Sequence, residues 1–434
     1  MTRCAIASVR LGGILGGFLL FPIAALLALA GARDGLLDHQ HWAKLINLEA
    51  AWKSNYGSHE IIVAVPDTGV FLKHVDLKKR LWRNPGEIAG NKIDDDANGF
   101  VDDIHGWNFV DNNNDLHDTH PRLGHGTSIA GIIAAEVGNG RGISGISPHA
   151  KIMVLKTCDS VGDCATSAHA RAVQYAVKNG ARIINASWGH HSLQPAMKHV
   201  INWAFKHGVL LITGSGNDGK DLDGTSTFYP TSFRSDSMLS VASINHSSRL
   251  NSFSNTGQTS VHLAAPGYRV LSTTSDGGWE ERIGTSFAAP MVSGVGAMVL
   301  SIEPTLSARA LRNALLNAVT VKDFYSAHLA TSGALDALKA VTQLSNGFQV
   351  WPAQITLRPG DTFEFTAYKS MGNVQWSVSD SRVAQIDQQG TLKIFRSGRS
   401  GDTGSITITA VDESGKKAST QIRVVKPSPT RKGS

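Results

Sequence analysis

The chain has 434 residues, 41% of them hydrophobic and 18% charged, with 44 glycines. That composition supplies sizeable cores for two domains and excludes global disorder. The formal net charge is +6, but the basic residues are dispersed until a cluster from Lys426 to Lys432, so the charge makes no case for nucleic acid as a partner.

Residues 1–30 read as a signal peptide. Arg3 and Arg10 flank its start, Leu11 to Leu29 carries no charge, and Ala28-Leu29-Ala30 offers a small-residue cleavage site. The apolar run approaches the length of a bilayer span, so a retained signal anchor is the alternative. Localisation is therefore read as secreted or periplasmic (cell envelope), with membrane attachment only if the segment is kept.

Downstream, the apolar run Ile61 to Val65 predicts a strand ending at Asp67 and the Thr68-Gly69 turn. Pro66 interrupts it and removes one ladder donor. From Asp94 to Asp103, oxygen-bearing side chains alternate around Gly99 like the first half of an EF-hand loop, without its closing carboxylate. Gly124-His125-Gly126 then opens a helix of small residues. Cys158 and Cys164 share one polar loop, and an even pair in an exported chain predicts a disulfide.

Strand and helix patterns alternate from there: strand 150–156, helix 165–178, strand 182–187, helix 193–207 and strand 209–213. The alternation predicts an α/β fold, a parallel sheet with helices on both faces. Gly284-Thr285-Ser286 feeds an apolar helix over 288–300. Ser286 thus falls at a helix N-terminus, where unpaired N–H groups and the macrodipole favour negative charge. A lone serine there is ordinarily an N-cap. With a histidine as base and an aspartate to orient it, it becomes a nucleophile. Helices over 308–319 and 335–344 complete a domain at 36–345, and short strands at 354–357, 362–367, 374–378, 405–411 and 420–425 predict a small all-β sandwich at 348–427. Residues 428–434 read as a basic, flexible tail.

The order Asp67, His125, Ser286, each in its glycine-rich setting, resembles the subtilases, the subtilisin-like serine peptidases of family S8. The resemblance extends to Ile183-Ile184-Asn185-Ala186-Ser187-Trp188-Gly189, to Gly214-Ser215-Gly216-Asn217-Asp218-Gly219, to Phe253-Ser254-Asn255-Thr256-Gly257 and to Ala264-Ala265-Pro266-Gly267. It implies a catalytic triad of Asp67, His125 and Ser286, with the Asn217 amide as oxyanion donor. It also implies a substrate strand at Ser187, Trp188 and Gly189, with Gly214 and Ser215 beside it. The acidic loop is similar to a calcium site of that family, implying structural Ca2+ on Asp94, Asp96, Asn98 and Asp102. Two departures stand out, Pro66 and the absence of room for a long propeptide between signal and domain. Arg358-Pro359-Gly360-Asp361-Thr362, Trp376-Ser377-Val378-Ser379-Asp380 and Gly390-Thr391-Leu392 resemble a bacterial Ig-like domain of group 2. The expectation is a secreted, monomeric serine endopeptidase that acts on polypeptides through an acyl-enzyme. The alternative is a catalytically impaired subtilase scaffold displayed at the cell surface as a binding protein.

Overall fold

Runs such as Ile62-Val63-Ala64-Val65 and Leu210-Leu211-Ile212 are apolar at every position because both faces of their strands are covered. A computed structural model describes residues 34–118, 124–159, 161–396 and 403–426; the expected signal and basic tail lie outside the described residues. In chain order the first strands are β1 (Ile62–Asp67), β2 (Gly106–Asn108), β3 (Lys151–Lys156), β4 (Ile183–Ala186), β5 (Leu210–Gly214), β6 (Met238–Ile244) and β7 (Leu263–Pro266). A hairpin of β8 (Val270–Thr273) and β9 (Trp279–Arg282) follows, then β10 (Val319–Val321) and β11 (Gly333–Leu335). Nine of these form one sheet in the order β10-β11-β7-β6-β5-β4-β1-β3-β2. Its pairings are parallel apart from the antiparallel β10–β11 edge.

Period-two alternation sorts the strand side chains into two cores. Val63 and Val65 of β1, with Leu210 and Ile212 of β5, face the helices His125–Ala134 and Thr285–Ile302. Ala64 and Leu211 face the helices Thr166–Lys178 and Pro195–Lys206 on the other side. The Thr285–Ile302 helix is apolar around its whole circumference and is correspondingly buried as the central core helix. β1 lies between β4 and β3, where the strand order reverses. Sites in such sheets form at the carboxyl ends beside that reversal, and Asp67 is the last residue of β1. Pro66 is tolerated there because the β1–β4 ladder holds only Val63 and Ala64 and ends before it.

The C-terminal strands are β12 (Gln349–Trp351), β13 (Gln354–Leu357), β14 (Thr362–Glu364), β15 (Thr366–Tyr368), β16 (Gln375–Val378), β17 (Ala384–Ile386), β18 (Thr391–Ile394), β19 (Thr403–Val411) and β20 (Lys417–Val425). The run expected as one strand over 362–367 is two, β14 and β15, which enter different sheets. Their sandwich is docked, not tethered. Arg309 pairs with Glu364 at 2.7 Å, the Asn313 amide donates to the Glu364 carbonyl at 2.9 Å, and Thr356 N donates to the Ala330 carbonyl at 2.8 Å. Trp351, fully buried and stacked on Tyr368 at 4.0 Å, belongs to the same apolar core as the Thr285–Ile302 helix. Trp351→Ala is expected to cost about 3–5 kcal/mol and to lower the melting of the whole chain. Differential scanning calorimetry checks this: a lone shift of a separate C-terminal transition would contradict the shared core.

Candidate active site

Three chain turns converge at the carboxyl edge of the sheet. Asp67, buried at the end of β1, accepts the Thr68 N–H at 2.8 Å and faces His125 Nδ1 with both oxygens, at 2.8 and 2.9 Å. That contact assigns the Nδ1 proton to the Asp67 side and leaves Nε2 as the basic nitrogen. The approach needs a glycine. A Cβ on Gly126 would stand 2.2 Å from the Gly69 carbonyl oxygen and 3.1 Å from the Asp67 Cβ, so any larger residue would push the histidine helix off the strand.

Burial alone would lower the His125 pKa, but the Asp67 charge and hydrogen bond, with a contribution from Asp118, raise it above its ordinary 6.5. Asp118 was not anticipated from the sequence. Its buried carboxylate accepts from Thr127 N at 3.1 Å and Thr127 Oγ1 at 2.7 Å, and burial raises its own pKa. Nothing in its sequence surroundings marks it, because its effect comes from a fold contact.

Ser286 sits in the first turn of the Thr285–Ile302 helix, half-buried, after Gly284 at φ 145°, a backbone region that favours glycine. Its Oγ donates to the Ser187 carbonyl at 3.2 Å, and the Ser187 hydroxyl donates back to the Ser286 carbonyl at 2.7 Å. The second bond follows from Pro290. In a helix the N–H of residue 290 would bond the carbonyl of residue 286, and proline has none. The Ser187 hydroxyl takes the vacant acceptor. Asn217, beyond the end of β5, accepts Thr285 N at 2.9 Å and Thr285 Oγ1 at 3.1 Å through its Oδ1. Its Nδ2 is thereby the donating end, beside the Ser286 turn.

Trp188 and Gly189 lie with Asp67 and His125 along a cavity of about 390 Å³ that the Cys158–Cys164 disulfide also lines. Trp188 stacks on His169 at 3.9 Å. Burial, then His190, pushes the His169 pKa down to about 3, and neither of its ring nitrogens has a hydrogen-bond partner among the described residues. Gly214 and Ser215 run along the opposite side of the Ser286 turn: a Cβ on Gly214 would reach the Thr285 carbonyl carbon at 2.9 Å.

The acidic loop is arranged differently from the sequence expectation. Asp94 accepts from the N–H groups of Asn98 and Gly99, and Asp102 from those of Gly90 and Lys92, and neither carboxylate is in the set that converges. The carboxylates that converge are Glu87, Asp96 and Asp103, each within 4.8 Å of the others. Asn98 reaches Asp96 and Asp103 through its amide nitrogen at 3.1 and 2.9 Å. Among the described residues no ion pair joins these three carboxylates, which receive amide N–H groups and the Tyr175 hydroxyl instead. Three negative charges offset only by neutral donors fit a hard cation with oxygen ligands. Alternation along the loop could not reveal this set, because Glu87 reaches it from outside the run.

The subtilase family model matches residues 58–349, more than half of the chain. The chain belongs to the subtilase family. A bacterial Ig-like domain (group 2) model matches residues 346–422. The subtilase is 33% identical over 264 residues to the major intracellular serine protease of Bacillus subtilis (strain 168), covering 60% of this chain and 74% of that one. It is 31% identical over 299 residues to subtilisin-like protease 1 of Plasmodium berghei (strain Anka), covering 64% of this chain and 49% of the relative. It spans about half the length of several such curated relatives. Among solved structures, proteases from Pseudoalteromonas arctica PAMC 21717 superpose with a TM-score of 0.61 at 24% identity, over 72% of this chain and 99% of theirs. That likeness carries the subtilisin-like fold.

Because a base must be unprotonated to act, the raised His125 pKa sets the acid limb of any activity that uses it. Activity is expected to fall as pH drops through a midpoint above 6.5. Asp67→Asn removes the main raising charge, so the limb should move to lower pH while kcat falls by about 10⁴. A kcat/KM profile of both proteins measures the two effects together.

Proposed function

We propose that this subtilase is a secreted serine endopeptidase that cleaves polypeptides through an acyl-enzyme on Ser286. The observation that carries the reading is the contact of His125 Nδ1 with both Asp67 oxygens, in a pocket that also borders the Ser187–Gly189 segment. In this reaction the Ser286 hydroxyl swings from the Ser187 carbonyl towards His125 Nε2 and gives up its proton there as Oγ attacks the scissile carbonyl carbon. The resulting oxyanion is held by Asn217 Nδ2 and the Ser286 N–H. His125 then passes the proton to the leaving amine as the C–N bond breaks, and a water repeats the sequence to release the acid. Support for export comes from the apolar segment after Arg3 and from the Cys158–Cys164 disulfide.

Structural calcium belongs to the same proposal. Glu87, Asp96 and Asp103 would hold Ca2+, whose charge would offset theirs and pin the Asn84–Asp103 loop, in place of the set Asp94, Asp96, Asn98 and Asp102. Saturating Ca2+ is expected to stabilise the fold on the order of 3 kcal/mol, read as a rise in Tm that chelation reverses. Asp103→Asn should abolish that rise, whereas Asp94→Asn should leave it.

Incubating the full chain and Ser286→Ala with a fluorophosphonate probe tests the catalytic reading. Labelling is expected for the parent and absent in the variant, with kcat on a peptide substrate reduced by about 10⁶. A folded parent chain that takes no label would favour a scaffold that only binds.

A further inference from the structure

The two segments that flank Ser286 are both glycine-bearing where they face each other, yet the gap between them is occupied. A Cβ on Gly189 would stand 2.4 Å from Cε1 and Cζ of Phe228, and a Cβ on Gly216 would stand 2.8 Å from Cγ and Cδ1 of the same ring. The phenyl group is wedged between the backbones of the Ser187–Gly189 and Gly214–Gly216 segments, touching one with its far edge and the other with its near edge. It is held there from several directions. Phe228 N donates to Ser232 Oγ at 2.9 Å, and Ser232 N donates back to the Phe228 carbonyl at 2.8 Å. His190 and Tyr229 exchange backbone hydrogen bonds at 2.8 and 2.7 Å. The His191 ring meets Phe228 edge-on at 5.6 Å while its Nδ1 contacts the Thr227 carbonyl at 3.0 Å.

This gap matters because of where Ser286 stands. A peptide laid along the Ser187 segment, with its reacting carbonyl at Ser286 Oγ and that carbonyl's oxygen towards Asn217, must place the side chain on the acyl side of the scissile bond between these two segments. The Phe228 ring takes the depth that a large side chain would need. At the rim, the Asp218 carboxylate accepts from Asn255 Nδ2 at 3.0 Å and lies 3.6 Å from His191 Nε2.

We propose that Phe228 is the specificity-determining residue of this cleft: its ring shortens the slot beside Ser286, so that the residue preceding the cleaved bond is glycine or alanine and large side chains are excluded. The inference deepens the proposed peptidase reading and rests on it. Its physical basis is steric. A side chain that cannot enter forfeits its own burial and draws the carbonyl away from Oγ, and small misplacements at the reacting atom are costly.

The test compares the full chain with Phe228→Ala and Phe228→Val on two matched peptide anilides that differ only in alanine or phenylalanine before the scissile bond. The parent should favour alanine by on the order of 100-fold in kcat/KM. Phe228→Ala should raise the value for phenylalanine at least about tenfold and change that for alanine far less, with Phe228→Val in between. Phe228→Val keeps an apolar group in the gap and decides the matter if the alanine variant fails to fold. Titration with a small alkyl fluorophosphonate, which needs no slot, separates two failures. Labelled enzymes whose alanine-to-phenylalanine ratio is unchanged by substitution, or a parent that cleaves both equally, would overturn the role of Phe228. An unlabelled parent would overturn the catalytic reading beneath it.

Discussion

Everything near the carboxyl edge of the sheet is arranged around one desolvated contact, the Asp67 carboxylate against the His125 imidazole. The two residues are 58 positions apart, and their meeting requires a strand end and a helix start to approach as only a glycine at position 126 allows. Once formed, the contact does two jobs. It orients the ring by occupying Nδ1, and it offsets the cost of burying an imidazolium, which is why the His125 pKa rises although burial by itself would lower it. The Asp67 carbonyl extends the same anchor to the neighbouring strand by accepting from Thr157 N at 2.8 Å and Cys158 N at 3.2 Å. The disulfide wall is thereby tied to the Asp67–His125 contact through backbone.

The sheet supplies the rigidity that such a contact needs. β1 lies between β4 and β3 and carries an apolar residue at each position from Ile62 to Val65, so the strand cannot slide or tilt without exposing one of two cores. The C-terminal sandwich adds to this from the far side, since Trp351 and its neighbours extend the core that holds the Ser286 helix. Inter-domain contacts of this kind, with an ion pair at Arg309 and backbone acceptors at Ala330 and Glu364, restrain relative domain motion more than a linker does.

Much of this was legible in the sequence, for definable reasons. Strands buried on both faces are continuous apolar runs, and Asp67, His125 and Ser286 stand in glycine turns that tight chain approaches demand. The strand β6, Met238-Leu239-Ser240-Val241-Ala242-Ser243-Ile244, was not singled out, because buried serines break its apolar run while hydrogen bonds satisfy them inside the fold. Asp118 and Phe228 were also invisible, as were the bonds that Thr285, itself in the Ser286 turn motif, makes to Asn217: each acts on a residue distant in sequence. The acidic loop shows the limit most plainly. Alternating carboxylates pointed to Asp94 and Asp102, yet the carboxylates that converge are Glu87, Asp96 and Asp103.

Pro290 has a consequence that reaches beyond helix geometry. By vacating the Ser286 carbonyl it brings in the Ser187 hydroxyl, and Ser286 returns a bond to the Ser187 carbonyl, so the two serines form a closed two-bond clasp. The Ser187 carbonyl is also a main-chain acceptor of the kind that extended peptides pair with. An N–H placed at that carbonyl would compete with the Ser286 hydroxyl for the same acceptor.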